Sequence, residues 1–77
     1  MTFVKVRAVK SEMTSGYTFR YTDYDVIINV SHIVRIVNGS NMRDEQMYEV
    51  YLSNASEPLF IPKSEAQEIM EIVGLTL

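Results

Sequence analysis

The chain has no cysteine and no tryptophan, and among its 77 residues it has one histidine, three glycines and two prolines. The absence of cysteine excludes disulfides, thiolate metal sites and cysteine nucleophiles. A domain of this size gains only about a few kcal/mol from its own core and commonly relies on disulfides, metals or self-association as a supplement. Because self-association is the readiest supplement left, we expect a homo-oligomer.

Long hydrophobic runs are also missing. Lys5, Arg7 and Lys10 interrupt the apolar residues at the N-terminal end, so this segment does not have the pattern of a signal peptide. No apolar run approaches the roughly 20 residues of a membrane span. With 47% hydrophobic and 22% charged residues, the composition is typical of a folded globular protein. We therefore expect one domain over residues 1–77, located in the cytoplasm and without a membrane segment.

Alternation of apolar and polar residues dominates most of the chain and predicts β-strands. The strands are expected at residues 3–10, 17–22, 24–30, 33–37, 47–53 and 59–61. Gly16 and the polar residues before it predict a turn over 11–16, which would join the first two strands in a hairpin. The polar stretch 38–45 is longer than a tight turn and predicts a mobile loop that is free to contact a partner.

The end of the chain has the pattern of one amphipathic helix. Ser64 is a suitable N-cap with Gln67 three residues later, and Gly74 is a suitable C-terminal stop. An apolar stripe at helical spacing is formed by Ala66, Ile69, Met70 and Val73. The fold class expected is therefore α+β, with about five short antiparallel strands in a meander or small open barrel and one C-terminal helix.

Residues for catalysis are sparse. His32 has no second histidine or cysteine to complete a metal set, and we expect it to have a structural role. Asp23 and Asp25 share one side of a strand, but an isolated acidic pair is weak evidence for chemistry, as is Asp44-Glu45. The glycines lie too far apart for a phosphate-binding loop. We therefore predict that the protein is not an enzyme and that it binds neither a cofactor nor a metal.

Binding to a protein partner is the favoured interpretation. It rests on open strand edges, which can add a strand from a neighbour, and on apolar or loop residues outside the expected core. The candidates are Ile72, which lies off the helical stripe, Leu75 and Leu77 beyond the helix stop, and Met42 and Arg43 in the polar loop. For Ile72 and Leu75 the alternative is that they complete the core.

Nucleic-acid binding is the alternative function. Tyr17, Phe19 and Tyr21 alternate with polar residues in the first hairpin, and aromatic planes beside basic groups suit single-stranded nucleic acid. Along a strand, however, Arg20 points away from Phe19 and Tyr21, so we expect the aromatic side chains to enter the core. The net charge of −3 also opposes phosphate contacts. The basic residues concerned are Lys5, Arg7, Lys10 and Arg20.

A resemblance to a known family begins at Asn29. It rests on Asn29, Ile33, Ile36, the run Tyr51-Leu52-Ser53-Asn54, Ile61 and the helix opening Ser64-Glu65. In these residues the chain resembles the small flagellar-operon regulators of the FlbD or SwrD type, and the layout is similar to that of compact phage accessory proteins. The chain departs from the family by having Asn54-Ala55 where an Asn-Gly turn is expected, and by an additional N-terminal hairpin. The resemblance implies a small regulatory or accessory module of bacterial or phage origin.

Overall fold

A computed structural model describes residues 2–74 of the chain. The elements within this range are β1 (Phe3–Ser15), β2 (Thr18–Asn29), β3 (Ile33–Met42), β4 (Glu45–Leu52), β5 (Leu59–Pro62) and α1 (Lys63–Val73). A short 3₁₀ turn, Val30–His32, joins β2 to β3. The expected α+β class, with five antiparallel strands and a C-terminal helix, is confirmed. The strands form two sheets, of order β1-β2 and β3-β4-β5, and do not close into a barrel.

The first two strands form a long two-stranded ribbon. Their pairing runs from Phe3 opposite Asn29 to Ser15 opposite Thr18, with one irregularity between Met13 and Ser15. A 13-residue strand spans roughly 43 Å at about 3.3 Å per residue, close to the 42 Å length of the molecule. The predicted hairpin is confirmed, but its turn is shorter than the predicted 11–16, and the strands expected at 17–22 and 24–30 form one continuous strand. Residues 11–15 remain in the strand because they find cross-strand partners, and only Gly16 and Tyr17 turn.

The second hairpin contains a correction of the same kind. Residues 38–42, which we expected in a mobile loop, belong to β3, and Arg43 and Asp44 form a two-residue turn. Both have positive φ, 51° and 61°, as a type I′ hairpin turn requires. The polar side chains bond across the pair, since Gln46 Nε2 donates to Asn38 Oδ1 at 2.6 Å. At position 39 a Cβ atom would lie 3.1 Å from the carbonyl oxygen of Met47, which favours glycine there.

The hydrophobic core lies between the base of the ribbon, the three-stranded sheet and the helix. The buried residues that form it are Val4, Val6, Ala8, Ile28, Tyr48, Val50, Ile61, Ala66, Ile69 and Met70. Val4, Val6 and Ala8 share one face of β1 and are all buried, and three positions of the predicted helical stripe are confirmed. Val73, the fourth position of that stripe, is exposed. Only the first part of the ribbon contributes to this core. The rest of the ribbon extends beyond the core, and the candidate interaction surface lies there.

The helix ends as expected but begins differently. Gly74 adopts the left-handed conformation with φ 78°, and its N–H bonds to the last turn of α1. Pro62 occupies the N-cap position without a side-chain hydrogen bond, so the predicted N-cap at Ser64 is wrong. The chain passes directly from β5 into α1, which places Ser64 inside the first turn. Glu65 is used elsewhere, because its Oε1 accepts the backbone N–H of Arg7 at 3.0 Å.

Candidate interaction surface

Residues 11–22 form a hairpin arm that extends beyond the core. No side chain in this range is buried, and three large ones are widely exposed: Tyr17 at 99%, Met13 at 66% and Phe19 at 53%. Met13 and Phe19 are direct cross-strand partners and so share one face of the arm. The prediction that Tyr17 and Phe19 enter the core is wrong. The ribbon is longer than the body that covers it, so both faces of its far end meet water.

Exposed polar contacts order the arm. Thr14 Oγ1 and Thr18 Oγ1 lie 2.9 Å apart, and Thr18 Oγ1 donates to the carbonyl oxygen of Ser15 at 2.7 Å. Glu12 pairs with both Lys10 and Arg20, and their hydrogen bonds lower the pKa of Glu12. Exposed ion pairs of this kind contribute little stability, and a two-stranded hairpin is marginal in water by itself. Burial of the apolar side chains of the arm against a partner would add the stabilisation that these contacts do not provide.

At its base, the arm is held by an ionic cluster of Arg7, Asp23, Arg43 and Glu45, called here the base cluster. Arg43 donates to both carboxylate oxygens of Asp23, at 2.6 and 3.1 Å, and Arg7 donates to Asp23 Oδ1 at 2.7 Å. Arg7 also reaches Glu45 Oε2 at 3.1 Å. The hydrogen bonds from Arg43, followed by those from Arg7, lower the pKa of Asp23 to about 2. The cluster therefore connects β2 to the turn between β3 and β4.

The base cluster predicts a specific dependence of stability on pH. Because the pKa of Asp23 in the folded chain lies below its ordinary 3.8, its stabilising contribution is present above about pH 4 and is lost as the pH falls towards about 2. Asp23→Asn removes that contribution. We expect the melting temperature of Asp23→Asn to lie below that of the wild type at neutral pH, with the difference shrinking between about pH 4 and about pH 2. Circular dichroism melts across this range measure it.

Asp25→Asn is the matched control for Asp23→Asn. The carboxylate of Asp25 lies 3.8 Å from Lys5 Nζ, and both side chains are about two thirds exposed. An ion pair this exposed contributes little, so this variant should lower the melting temperature less than Asp23→Asn does. If the melting temperature of Asp23→Asn stayed below that of the wild type by the same amount down to pH 2, the role given to the Asp23 carboxylate would be contradicted.

The basic residues of the alternative function do not meet in one patch. Lys5 and Arg7 point to one face of the ribbon and Lys10 points to the other, together with Arg20. Each has a carboxylate partner: Asp25 for Lys5, Asp23 and Glu45 for Arg7, and Glu12 for both Lys10 and Arg20. The positive charge of the hairpin is therefore divided between two faces and partly neutralised on each.

The residues predicted to bind a protein partner lie in different parts of the chain. Ile72 is exposed near the end of α1. Met42 is half-buried beside the β3–β4 turn, and Arg43, in that turn, belongs to the base cluster. Leu75 and Leu77 lie outside the described residues. The structure thus brings Arg43 to the base of the arm. Sequence reasoning missed Met13, Tyr17 and Phe19 because alternation identifies a strand but does not give the extent of the core that covers it.

A second exposed apolar area lies at the opposite end of the ribbon. Phe3 is 58% exposed and Ile27 is 67% exposed. Ile27 pairs with Lys5, and Phe3 is the next residue of β1 on the same face, so the two apolar side chains are diagonal neighbours. We call this pair the base patch. The ribbon therefore carries exposed apolar side chains at both ends and a charged segment between them.

His32, which was considered for chemistry, contacts Ser53 through both its side chain and its backbone. His32 Nδ1 lies 3.2 Å from Ser53 Oγ, and the backbone N–H of Ser53 donates to the carbonyl of His32. Among residues 2–74, no group of three or more histidine, aspartate or glutamate side chains is arranged to hold a metal ion. Within the same range, α1 is too short and too polar to cross a membrane. These contacts join the 3₁₀ turn to the end of β4, and the structural role of His32 stays a prediction.

Comparison with known proteins does not assign a family. No protein-family model, curated protein or solved structure gives a significant match to the chain. The arm, the base cluster and the base patch are the surface features of residues 2–74 that bear on function.

Proposed function

We propose that this protein is a small non-enzymatic interaction module that self-associates through its ribbon. The observation that carries the proposal is the exposure of Met13, Tyr17 and Phe19 on an arm beyond the core. Single exposed apolar residues are ordinary on a protein surface, whereas several on one projecting element are typical of an interaction site. The arm would act by occupying the surface of a partner.

A second copy of the chain is the partner that best fits these features. The core is small and has no disulfide to support it, so association is the remaining supplement. The ribbon also leaves long strand edges without a hydrogen-bonded neighbour in residues 2–74, and such edges pair readily with other chains. Association would cover apolar side chains and edge groups at the same time.

The wider role is part of the same proposal. The resemblance that starts at Asn29 supports a regulatory or accessory module in the bacterial cytoplasm, or one encoded by a phage. The arm lies outside the residues that carry this resemblance. It would therefore be a feature that this chain has in addition to the family pattern. A non-enzymatic role is supported by the paired state of Asp23 and Asp25 and by the contact of His32 with Ser53.

Light scattering on the full chain tests self-association. We expect a dimer or larger assembly at micromolar concentration whose mass is the same at low and high salt, because apolar burial and backbone pairing are not weakened by screening. A monomer at every concentration would contradict the proposal. Anisotropy of a labelled single-stranded oligonucleotide tests the alternative, since binding through Lys5, Arg7, Lys10 and Arg20 would fall steeply with salt.

A further inference from the structure

Strand β2 has an open edge whose exposed backbone groups can be assigned. Within residues 2–74, β2 pairs with β1 alone. The N–H of Val30 donates to the carbonyl of Thr2, while the N–H of Arg7 points away from β2 and donates to Glu65. Because hydrogen-bonded pairs alternate along antiparallel strands, the even-numbered residues of β1 and β2 bond to each other. The backbone groups of positions 19, 21, 23, 25 and 27 therefore point to the open edge.

We propose that two copies of the chain pair antiparallel through this edge, with Thr22 of each copy on the two-fold axis. The two ribbons then form one four-stranded sheet. This inference rests on the proposed self-association and specifies its surface and register. A two-fold axis normal to the sheet places only residues of the same face opposite each other, which leaves few registers to compare.

Most other registers bring like charges together. An axis at Arg20, Asp23 or Asp25 sets that residue opposite its own copy, and an axis at Tyr24 sets Asp23 opposite Asp25. Like charges directly opposite each other destabilise a strand pair. Axes nearer either end of β2 shorten the overlap and leave much of the ribbon unpaired. The axes that remain near the middle of the strand are Tyr21 and Thr22.

The exposed apolar residues decide between these two. With the axis at Thr22, Tyr17, in the turn just before β2, comes beside the partner's Ile27, because each is five residues from the axis. Phe3 is the diagonal neighbour of Ile27, so the arm of one copy meets the base patch of the other, twice by symmetry. With the axis at Tyr21, Tyr17 would instead lie opposite Asp25 and Phe19 opposite Asp23, so both exposed aromatic side chains would face carboxylates. The axis at Thr22 sets only Phe19 opposite a carboxylate, that of Asp25. The register at Thr22 also sets Arg20 opposite the partner's Tyr24, which allows a cation–π contact.

A single introduced cysteine tests the axis, because the native chain has none. The even-numbered residues do not bond across the new edge, so the Cα atoms of paired Thr22 residues would lie about 4.5 Å apart, within the range of roughly 4.4–6.8 Å that a disulfide needs. We expect Thr22→Cys to oxidise to a covalent dimer. Ser11→Cys is the control, since Ser11 is exposed beside Tyr21 on β1 but would lie about 16 Å from its copy, three strand spacings away and displaced by two residues along the strand.

A proline tests the backbone pairing. Asp25 is exposed, and its N–H points to the open edge, so Asp25→Pro removes one intermolecular donor without breaking a bond to β1. We expect Asp25→Pro to weaken self-association at least about tenfold. Asp25→Ala removes the same carboxylate, keeps the N–H, and should retain an affinity close to that of the wild type. Circular dichroism should show that both variants are folded.

The outcomes separate this inference from the proposed function. A wild-type dimer whose Thr22→Cys variant does not cross-link, or whose Ser11→Cys variant cross-links equally well, would overturn the register while self-association stands. Equal affinities for Asp25→Pro and Asp25→Ala would overturn the edge pairing in the same way. A wild-type monomer in light scattering would overturn both proposals. Selective cross-linking at Thr22 together with loss of affinity in Asp25→Pro is the result expected.

Discussion

Replacing Tyr17 by serine and Phe19 by threonine in one variant is expected to weaken self-association about 100-fold or more while leaving the chain folded. Full burial of one aromatic side chain stabilises an association by roughly 1.5–3 kcal/mol, and each 1.4 kcal/mol or so is a factor of ten in the dissociation constant. Both residues are more than half exposed in the single chain, so their loss should change its stability little. Sedimentation equilibrium over a dilution series measures the dissociation constant.

Val34→Thr is the matched control for the Tyr17 and Phe19 variant. Val34 is an exposed apolar residue of β3, outside the ribbon, and threonine preserves its shape. This control should retain the wild-type dissociation constant. If Val34→Thr weakened the assembly as much as the double variant, the interface would lie on the second sheet and the arm would not be the site. An unchanged mass in the double variant would contradict the proposed function directly.

Ile69→Ala is expected to have the largest effect on folding stability. The side chain of Ile69 is fully buried in the core, where α1 packs on the sheets. Truncation of a buried isoleucine to alanine costs about 2–5 kcal/mol through lost burial and the cavity that remains. A domain of this length has a free energy of unfolding of roughly 4–12 kcal/mol. Ile69→Ala should therefore remove a large part of the stability of the folded chain. Urea denaturation followed by circular dichroism measures the loss.

Ile72→Ala uses the same substitution on the exposed side of the same helix. Because Ile72 is exposed in the single chain, this variant should change the free energy of unfolding by no more than about 0.5 kcal/mol. Equal losses for Ile69→Ala and Ile72→Ala would contradict the packing of α1. The variant also tests the sequence-based expectation that Ile72 contacts a partner, since its assembly mass can be compared with that of the wild type.

The base cluster gives the arm a defined attachment to the body. Arg43 adopts a backbone conformation with positive φ, which is uncommon for residues other than glycine, and its guanidinium forms two hydrogen bonds to Asp23. Only the side chain of Asp23 is used in these contacts, so its backbone groups still face the open edge. The cluster therefore fixes the base of β2 without covering the edge that we propose as the interface.

The sequence by itself determined which elements form and which residues share a face. Alternation predicted the strand over residues 3–10, and because successive side chains point to opposite faces, Val4, Val6 and Ala8 share the face that is buried. Helical spacing placed Ala66, Ile69 and Met70 in the core, and Gly74 ended the helix because glycine adopts the left-handed conformation without steric cost. These are local rules, and they were sufficient for the α+β class.

Only the tertiary structure decided how far the ribbon extends and where its apolar residues lie. The same alternation describes a covered strand and an uncovered one, so it could not show that Met13 and Phe19 are exposed. Coverage depends on the size of the packing partner, and here β3, β4, β5 and α1 cover only the base of a 13-residue strand. Likewise, Asn38-Gly39 is a strong local turn signal, but the pairing of β3 with β4 placed the turn at Arg43 and Asp44. Cross-strand pairing within each hairpin overrode the local turn preference at both sites, because each extra pair satisfies backbone groups that a loop would leave to water.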